Sequence, residues 1–149
     1  MTPAAIRAAE DADVPALLEL WRSDDVHPTV TDNDDAVLTF IAERPGCLLV
    51  AASETGQVVG SVLIGWDGWR GSLYRLVVHS RWRRQGIGTD LVRRAVGLLQ
   101  AKRCHRVSIL VVATDAGAVA FWERCGVLGI LPDPSPKLRF VITQTEQPE

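Results

Sequence analysis

Residues 81–88 read Arg-Trp-Arg-Arg-Gln-Gly-Ile-Gly, set between one apolar run and the next. A loop of this kind, leaving a strand and entering a helix, exposes backbone N–H groups that lack intrahelical acceptors. Those groups and the helix dipole favour negative charge, so the stretch has the makings of a phosphate or diphosphate site. Gly86 and Gly88 let the backbone approach a ligand, Arg83 and Arg84 add charge-assisted bonds, and Thr89 offers a hydroxyl. The same residues also suit a plain basic turn facing water, and at this point both readings stand. Two other phosphate loops do not fit. Walker A requires a Gly-Lys pair followed by Ser or Thr, and the dinucleotide fingerprint requires a third glycine where Leu91 stands.

The loop needs elements to hold it, and the periodicity supplies them. Ile6 to Ala9 reads as a first strand, and Leu17, Leu20 and Trp21 fall at helical spacing behind Asp13. Residues 36–44 form a second helical pattern, stopped by Pro45-Gly46. Residues 47–53 and 58–66 are strand-like around a four-residue hairpin connection, and 72–79 reads as another strand. The span 88–100 carries an apolar stripe of Leu91, Val92, Ala95, Leu98 and Leu99. The run 107–112 reads as a buried strand, 115–125 as a helix ending at Gly126, and 127–131 with 137–144 as an antiparallel edge. The expected fold is α/β: one domain with a mixed sheet flanked by helices. A strand, the basic loop, a long helix and a parallel strand form its central crossover.

With the order of elements in hand, the chain resembles the GCN5-related N-acetyltransferases (GNAT). Their acetyl-CoA signature is Arg or Gln, two residues, Gly, one residue, then Gly or Ala. Arg83, Gly86 and Gly88 take those places, with Val78, Ser80 and Trp82 at the upstream positions and serine where proline is usual. The family's second motif is similar to Asp115, Ala118, Trp122, Gly126 and Val127. The stretch Asp67-Gly68-Trp69-Arg70-Gly71 also looks like a bacterial subgroup with Asp-Gly-x-Arg-Gly before the fourth strand. The resemblance covers nearly the whole chain and implies a GNAT domain over residues 1–145, a short tail at 146–149, and a partly splayed sheet.

It further implies acetyl-CoA as cosubstrate. Its pantetheine arm would pair with backbone at Leu76, Val77 and Val78, in a gap between the fourth and fifth strands. Its diphosphate would meet the N–H groups of Arg83, Arg84, Gln85, Gly86, Ile87, Gly88 and Thr89. Asp115 and Trp122 would line the thioester side. The family's usual tyrosine can protonate the leaving thiolate, whereas the indole of Trp122 donates a hydrogen bond without being a general acid. Tyr74 is the only tyrosine, and strand alternation puts it on a face with Ser72, Leu76 and Val78. Its expected role is to replace that acid or to position the amine; an ordinary half-buried strand aromatic is the competing reading.

The acceptor expected from the resemblance is a primary amine of a small molecule or peptide. Asp24, Asp25, Asp32, Asp34 and Asp35 gather where a cationic amine would approach, although a solvated loop and helix start account for them as well. A catalytically quiet acyl-CoA-binding domain is the alternative function. A net charge of −2 and basic residues spread over different helix faces argue against a nucleic-acid partner. His27, His79, His105 and the three cysteines form no metal-ligand spacing. With 47% hydrophobic residues, no apolar leader and no run long enough to span a bilayer, the expectation is a cytoplasmic protein without a membrane partner. Exposed strand edges and tryptophans permit a homodimer without requiring one.

Overall fold

Four strands in a row, each antiparallel to the last, followed by one parallel strand, make the mixed sheet. The computed structural model describes residues 4–23, 31–111, 113–135 and 140. The chain divides into two compact units, Met1–Leu110 and Val111–Glu149.

In the first unit, β1 (Ala4–Ala8) leads through a 3-10 turn (Asp11–Asp13) into α1 (Val14–Ser23). Asp13 does more than favour the helix dipole. Arg7 grips its carboxylate at 2.7 and 2.9 Å, and the same carboxylate accepts the Glu10 N–H at 2.8 Å. The Arg7 bond holds the Asp13 carboxyl below the usual carboxylate range, against a smaller opposing effect of burial. Val14, Leu17, Leu18, Leu20 and Trp21 form the buried stripe of α1. Next comes α2 (Asp34–Glu43), capped by Asn33, whose side chain accepts the Ala36 N–H at 2.9 Å. Asp34 and Asp35 fill its first turn, where they suit the dipole.

The sheet is β2 (Leu48–Ser53), β3 (Val58–Trp66), β4 (Gly71–Val78) and β5 (Val107–Ile109) beside β1, in the order β1-β2-β3-β4-β5. Only β4 and β5 run parallel. The helix α3 (Ile87–Ala101) joins them and buries Ile87, Leu91, Val92, Ala95 and Leu99. Glycines let it settle closely on the strands: a Cβ on Gly60 would stand 3.2 Å from Leu91 and 3.3 Å from Ile87, and one on Gly71 would stand 2.9 Å from Leu99. The opposite face packs against α1 and α2, with Val50, Leu63 and Val77 meeting Leu17, Trp21 and Val37. The sheet therefore has helices on both faces.

One irregularity changes what the strand pattern means. Tyr74 pairs with Leu63 and Val77 pairs with Ser61, so β4 holds one residue more than β3 across this interval. This bulge falls at Arg75, which has φ +50. Directly paired residues share a face, so Tyr74, with Leu63, and Val77, with Ser61, lie on the α1 side. Val78, opposite Gly60, lies on the α3 side. The expectation that Tyr74 and Val78 share a face is overturned, because the extra residue reverses the alternation.

The fifth strand is also shorter than its apolar run. Among the described residues of the run only Val107–Ile109 pair, Ser108 is exposed, and Leu110 is 67% exposed. Among the described residues this strand pairs with β4 alone, so continuous apolar character did not mark a strand enclosed on all sides.

The second unit contains α4 (Ala116–Arg124), which runs on into a 3-10 turn at Cys125–Leu128. The left-handed glycine that ends it is Gly129, at φ +83, rather than Gly126. Residues 127–131 therefore do not form the expected strand; the short apolar run is spent on the turn. Of the expected strand at 137–144 only Phe140 is described, and Asp24, Asp25 and His27 also lie outside the described residues. No helix among the described residues is long and apolar enough to cross a membrane.

Candidate functional site

The strand β4 outruns its parallel neighbour. Gly71, Ser72 and Leu73 pair with Val107, Ser108 and Ile109, and β4 then continues to Val78 past the last of these pairs. The side chain of Val77 is 3% exposed and belongs to the core, so only its backbone is open to a ligand role; Leu76 and Val78 are half-buried.

From Val78 the chain enters a short 3-10 turn, Ser80–Trp82. His79 closes it: Nδ1 accepts the Arg81 N–H at 3.2 Å, and the His79 carbonyl accepts the Trp82 N–H at 2.8 Å. The histidine thus has a structural task. Arg83 Nε donates to the Val78 carbonyl at 3.1 Å, which fixes the loop to the end of the strand. Arg84 takes φ +62 and Gly86 takes φ +84. For Arg84 this conformation is strained; for Gly86 it is not.

Gly86 is the N-cap of α3 and supplies no side-chain cap. The first intrahelical bond runs from the Asp90 N–H to the Gly86 carbonyl at 3.0 Å. The N–H groups of Gly86, Ile87, Gly88 and Thr89 therefore come before the helical ladder begins. Arg83, Arg84, Gln85 and Gly86 are exposed, while Gly88 and Thr89 are half-buried. Ile87 is 1% exposed and pinned beneath the loop, so it can offer a ligand only its N–H. Asp90, the acidic residue of the first turn, is engaged by Arg93 at 2.9 Å. The result is a row of backbone donors beside two arginines, at the end of a strand that runs on past its described pairs with β5. Such a place can hold a diphosphate and an extended chain attached to it.

Tyr74 stands on β4 beyond the pairing with β5 and is 50% exposed. Its ring lies over Gly65, where a Cβ would come within 3.1 Å of Tyr Cε2. Asp115 and Trp122 belong to the second unit. The Asp115 carboxylate accepts the Ala118 N–H at 3.0 Å and so caps α4. Trp122 meets Phe121 edge to face, with ring centroids 5.2 Å apart.

Ser61 and Arg75 escaped the sequence reading, which gave their partners Trp21 and Asp32 other tasks. Ser61, fully buried, accepts the Trp21 Nε1–H at 2.9 Å and donates to the Arg75 carbonyl at 2.8 Å. The Arg75 guanidinium grips Asp32 with Nε at 3.1 Å and Nη2 at 2.6 and 2.7 Å, and lies 5.6 Å from the Trp21 ring centroid. Asp32 is thereby bound within the fold instead of waiting for a cationic amine. A lone serine among apolar strand residues was the one available signal.

The turn Asp67-Gly68-Trp69-Arg70-Gly71, at the other end of β4, is explained by its own contacts. The Asp67 carboxylate accepts the Arg70 N–H at 2.7 Å and the Trp69 N–H at 2.8 Å, which hold it below the usual carboxylate range. The Arg70 guanidinium stacks on Trp69 at 4.3 Å.

Residues 14–127 match the model of the acetyltransferase (GNAT) family. An acetyltransferase of Pectobacterium atrosepticum is 31% identical over 119 residues, covering 80% of this chain and 84% of that one. Among solved structures, Ard1 from Thermoplasma volcanium superposes with a TM-score of 0.74 at 19% identity, covering 83% of this chain and 82% of that one. The PaiA N-acetyltransferase from Thermoplasma acidophilum, solved in complex with coenzyme A, gives 0.70 at 14% identity, covering 81% and 87%.

Proposed function

The chain belongs to the acetyltransferase (GNAT) family, and we propose that it moves the acetyl group of acetyl-CoA directly to a primary amine of a small molecule or peptide. The observation that carries this reading is the run of β4 past its described pairs with β5 and on, through the Ser80–Trp82 turn and the basic loop, to an α3 N-terminus with no side-chain cap. The diphosphate of the cosubstrate meets the N–H groups from Gly86 to Thr89, with Arg83 and Arg84 adding charge. The pantetheine arm pairs along Leu76, Val77 and Val78. We also propose, from the Asp-Gly-x-Arg-Gly stretch before β4, that the chain is one of the bacterial subgroup that shares it.

Direct transfer requires a neutral amine, a polarised thioester carbonyl and a leaving thiolate that is stabilised. The amine nitrogen forms a bond to the carbonyl carbon, the C–S bond breaks, and the proton lost by the nitrogen goes to solvent or to a base reached through water. Backbone N–H near Val78 polarises the carbonyl. Tyr74, half exposed on the α1 side, protonates the thiolate or holds the amine. An acyl-enzyme route has less support. Cys47 and Cys125 are buried, and burial pushes the Cys125 thiol up, away from the reactive thiolate. The Cys104 thiol donates to the Arg106 carbonyl.

Calorimetry with acetyl-CoA, followed by thiol release in the presence of an amine panel, tests the reading. Binding with amine-dependent release is expected, and Tyr74→Phe is expected to lower kcat about tenfold while leaving the KM for acetyl-CoA in place. A folded protein that binds neither CoA nor acetyl-CoA removes the proposal. Binding without release would favour a non-catalytic acyl-CoA-binding domain, a second reading prompted by Trp122 at the family's tyrosine position.

A further inference from the structure

A left-handed arginine inside a strand has to be held there by its surroundings. Arg75 is held twice. Its carbonyl receives the hydroxyl of Ser61, which in turn takes the indole N–H of Trp21. Its guanidinium is forked onto Asp32 and rests over the same Trp21 ring. Ser61 and Trp21 are 0% and 3% exposed, and the Arg75 and Asp32 side chains keep only 19% and 12% of their surface. A buried hydroxyl in an apolar sheet is costly unless both of its bonds are made, and here both are made to one structural end. That end is the bulge, because Ser61 lies opposite Val77 just beyond it.

From this we infer that Trp21, Ser61, Asp32 and Arg75 are positioning residues that fix the β4 bulge and so aim the Leu76–Val78 backbone at the cosubstrate. The inference rests on the acetyl-CoA reading for its second half. Its first half, the hold on the bulge, concerns the free protein. None of the four residues is assigned a contact with the reacting atoms. Their effect passes through the backbone that follows Arg75. With the bulge flattened and every residue kept, Val77 and Val78 would exchange faces, and the chain would leave the sheet toward the basic loop on a different side.

Two measurements on folded Ser61→Ala test this, with Asp32→Asn as the second variant should the first fail to fold. Amide exchange at Leu76–Val78 should quicken about tenfold while Leu49–Ala51, two strands away, keeps its wild-type rate. In parallel, the Kd for CoA and the KM for acetyl-CoA should rise about tenfold, with the KM for the amine unchanged. A merely structural role would loosen the sheet generally or lower stability without separating the two KM values. Unchanged exchange at Leu76–Val78 overturns the hold on the bulge. Faster local exchange with unchanged CoA affinity overturns the aiming role. If the wild-type protein binds no CoA, the acetyl-CoA reading and the aiming role fall together, and exchange alone still decides whether these residues hold the bulge.

Discussion

Two stretches rich in glycine and arginine bracket β4, and they solve the same electrostatic problem in opposite ways. At its start, Asp67 provides a carboxylate that accepts the N–H groups of Arg70 and Trp69, so the turn closes on an anion of its own. At its end, the start of α3 is capped by Gly86, which has no side chain to offer. One turn is complete in itself. The other begins a helix with no side-chain cap, and the carboxylate of its first turn, Asp90, is held by Arg93. Composition does not separate the two; a carboxylate that accepts the turn's own N–H groups, present in one and not supplied by Gly86 in the other, does.

That contrast is easiest to break by giving the second turn an anion. Gly86→Asp should remain folded, since aspartate tolerates positive φ better than most residues, and it should weaken CoA binding on the order of a hundredfold. Calorimetry with a circular-dichroism check reads both quantities; near-wild-type affinity would mean that the loop is not the diphosphate site. A finer probe is Arg84→Gly, which relieves the strain at φ +62 while removing a charge. It should cost about threefold in CoA affinity and flatten its salt dependence, with stability held or raised.

Smaller still is the effect expected at Asp13, another carboxylate that belongs to the fold. Its folded pKa lies below its unfolded value, so the Arg7 pair contributes stability above the unfolded pKa of about 3.9 and loses it as pH falls through the folded one. Asp13→Asn should therefore cost about 0.5 kcal/mol near neutrality, discounted because the Arg7 side chain is 40% exposed, and nothing in strong acid. Urea titrations at several pH values give that comparison. Smallest of all, Asp67→Ser should slightly lower the melting temperature and leave CoA affinity where it was. A loss of affinity there would mean that the two turns are not independent.

Much of the fold was legible because periodicity and punctuation agreed. The hairpin around residues 54–57, the stripe of α3 and the helix stop before Pro45 each followed from local rules. The basic loop was legible for the same reason: glycine marks a positive φ, and Gly86 has one. The bulge was hidden because its left-handed residue is an arginine, held there by contacts from residues 14 and 43 positions away in sequence, the nearer of which is itself fixed by Trp21 a further 40 positions back. No local rule reaches that far. The faces assigned along β4 were wrong beyond it in consequence. Short apolar runs misled in a similar way. Residues 127–131 and 107–112 read as strands, yet such a run is equally compatible with a turn or with three paired residues.

The extra residue at Arg75 also ties the length of β4 to the directions its side chains take. Deleting one amino acid there would keep Tyr74 opposite Leu63 and Val77 opposite Ser61 in a regular strand, whereas flattening the bulge with every residue kept would turn Val77 to the α3 side and Val78 to the α1 side. The count of residues and the kink are matched: the strand keeps its faces with both or with neither.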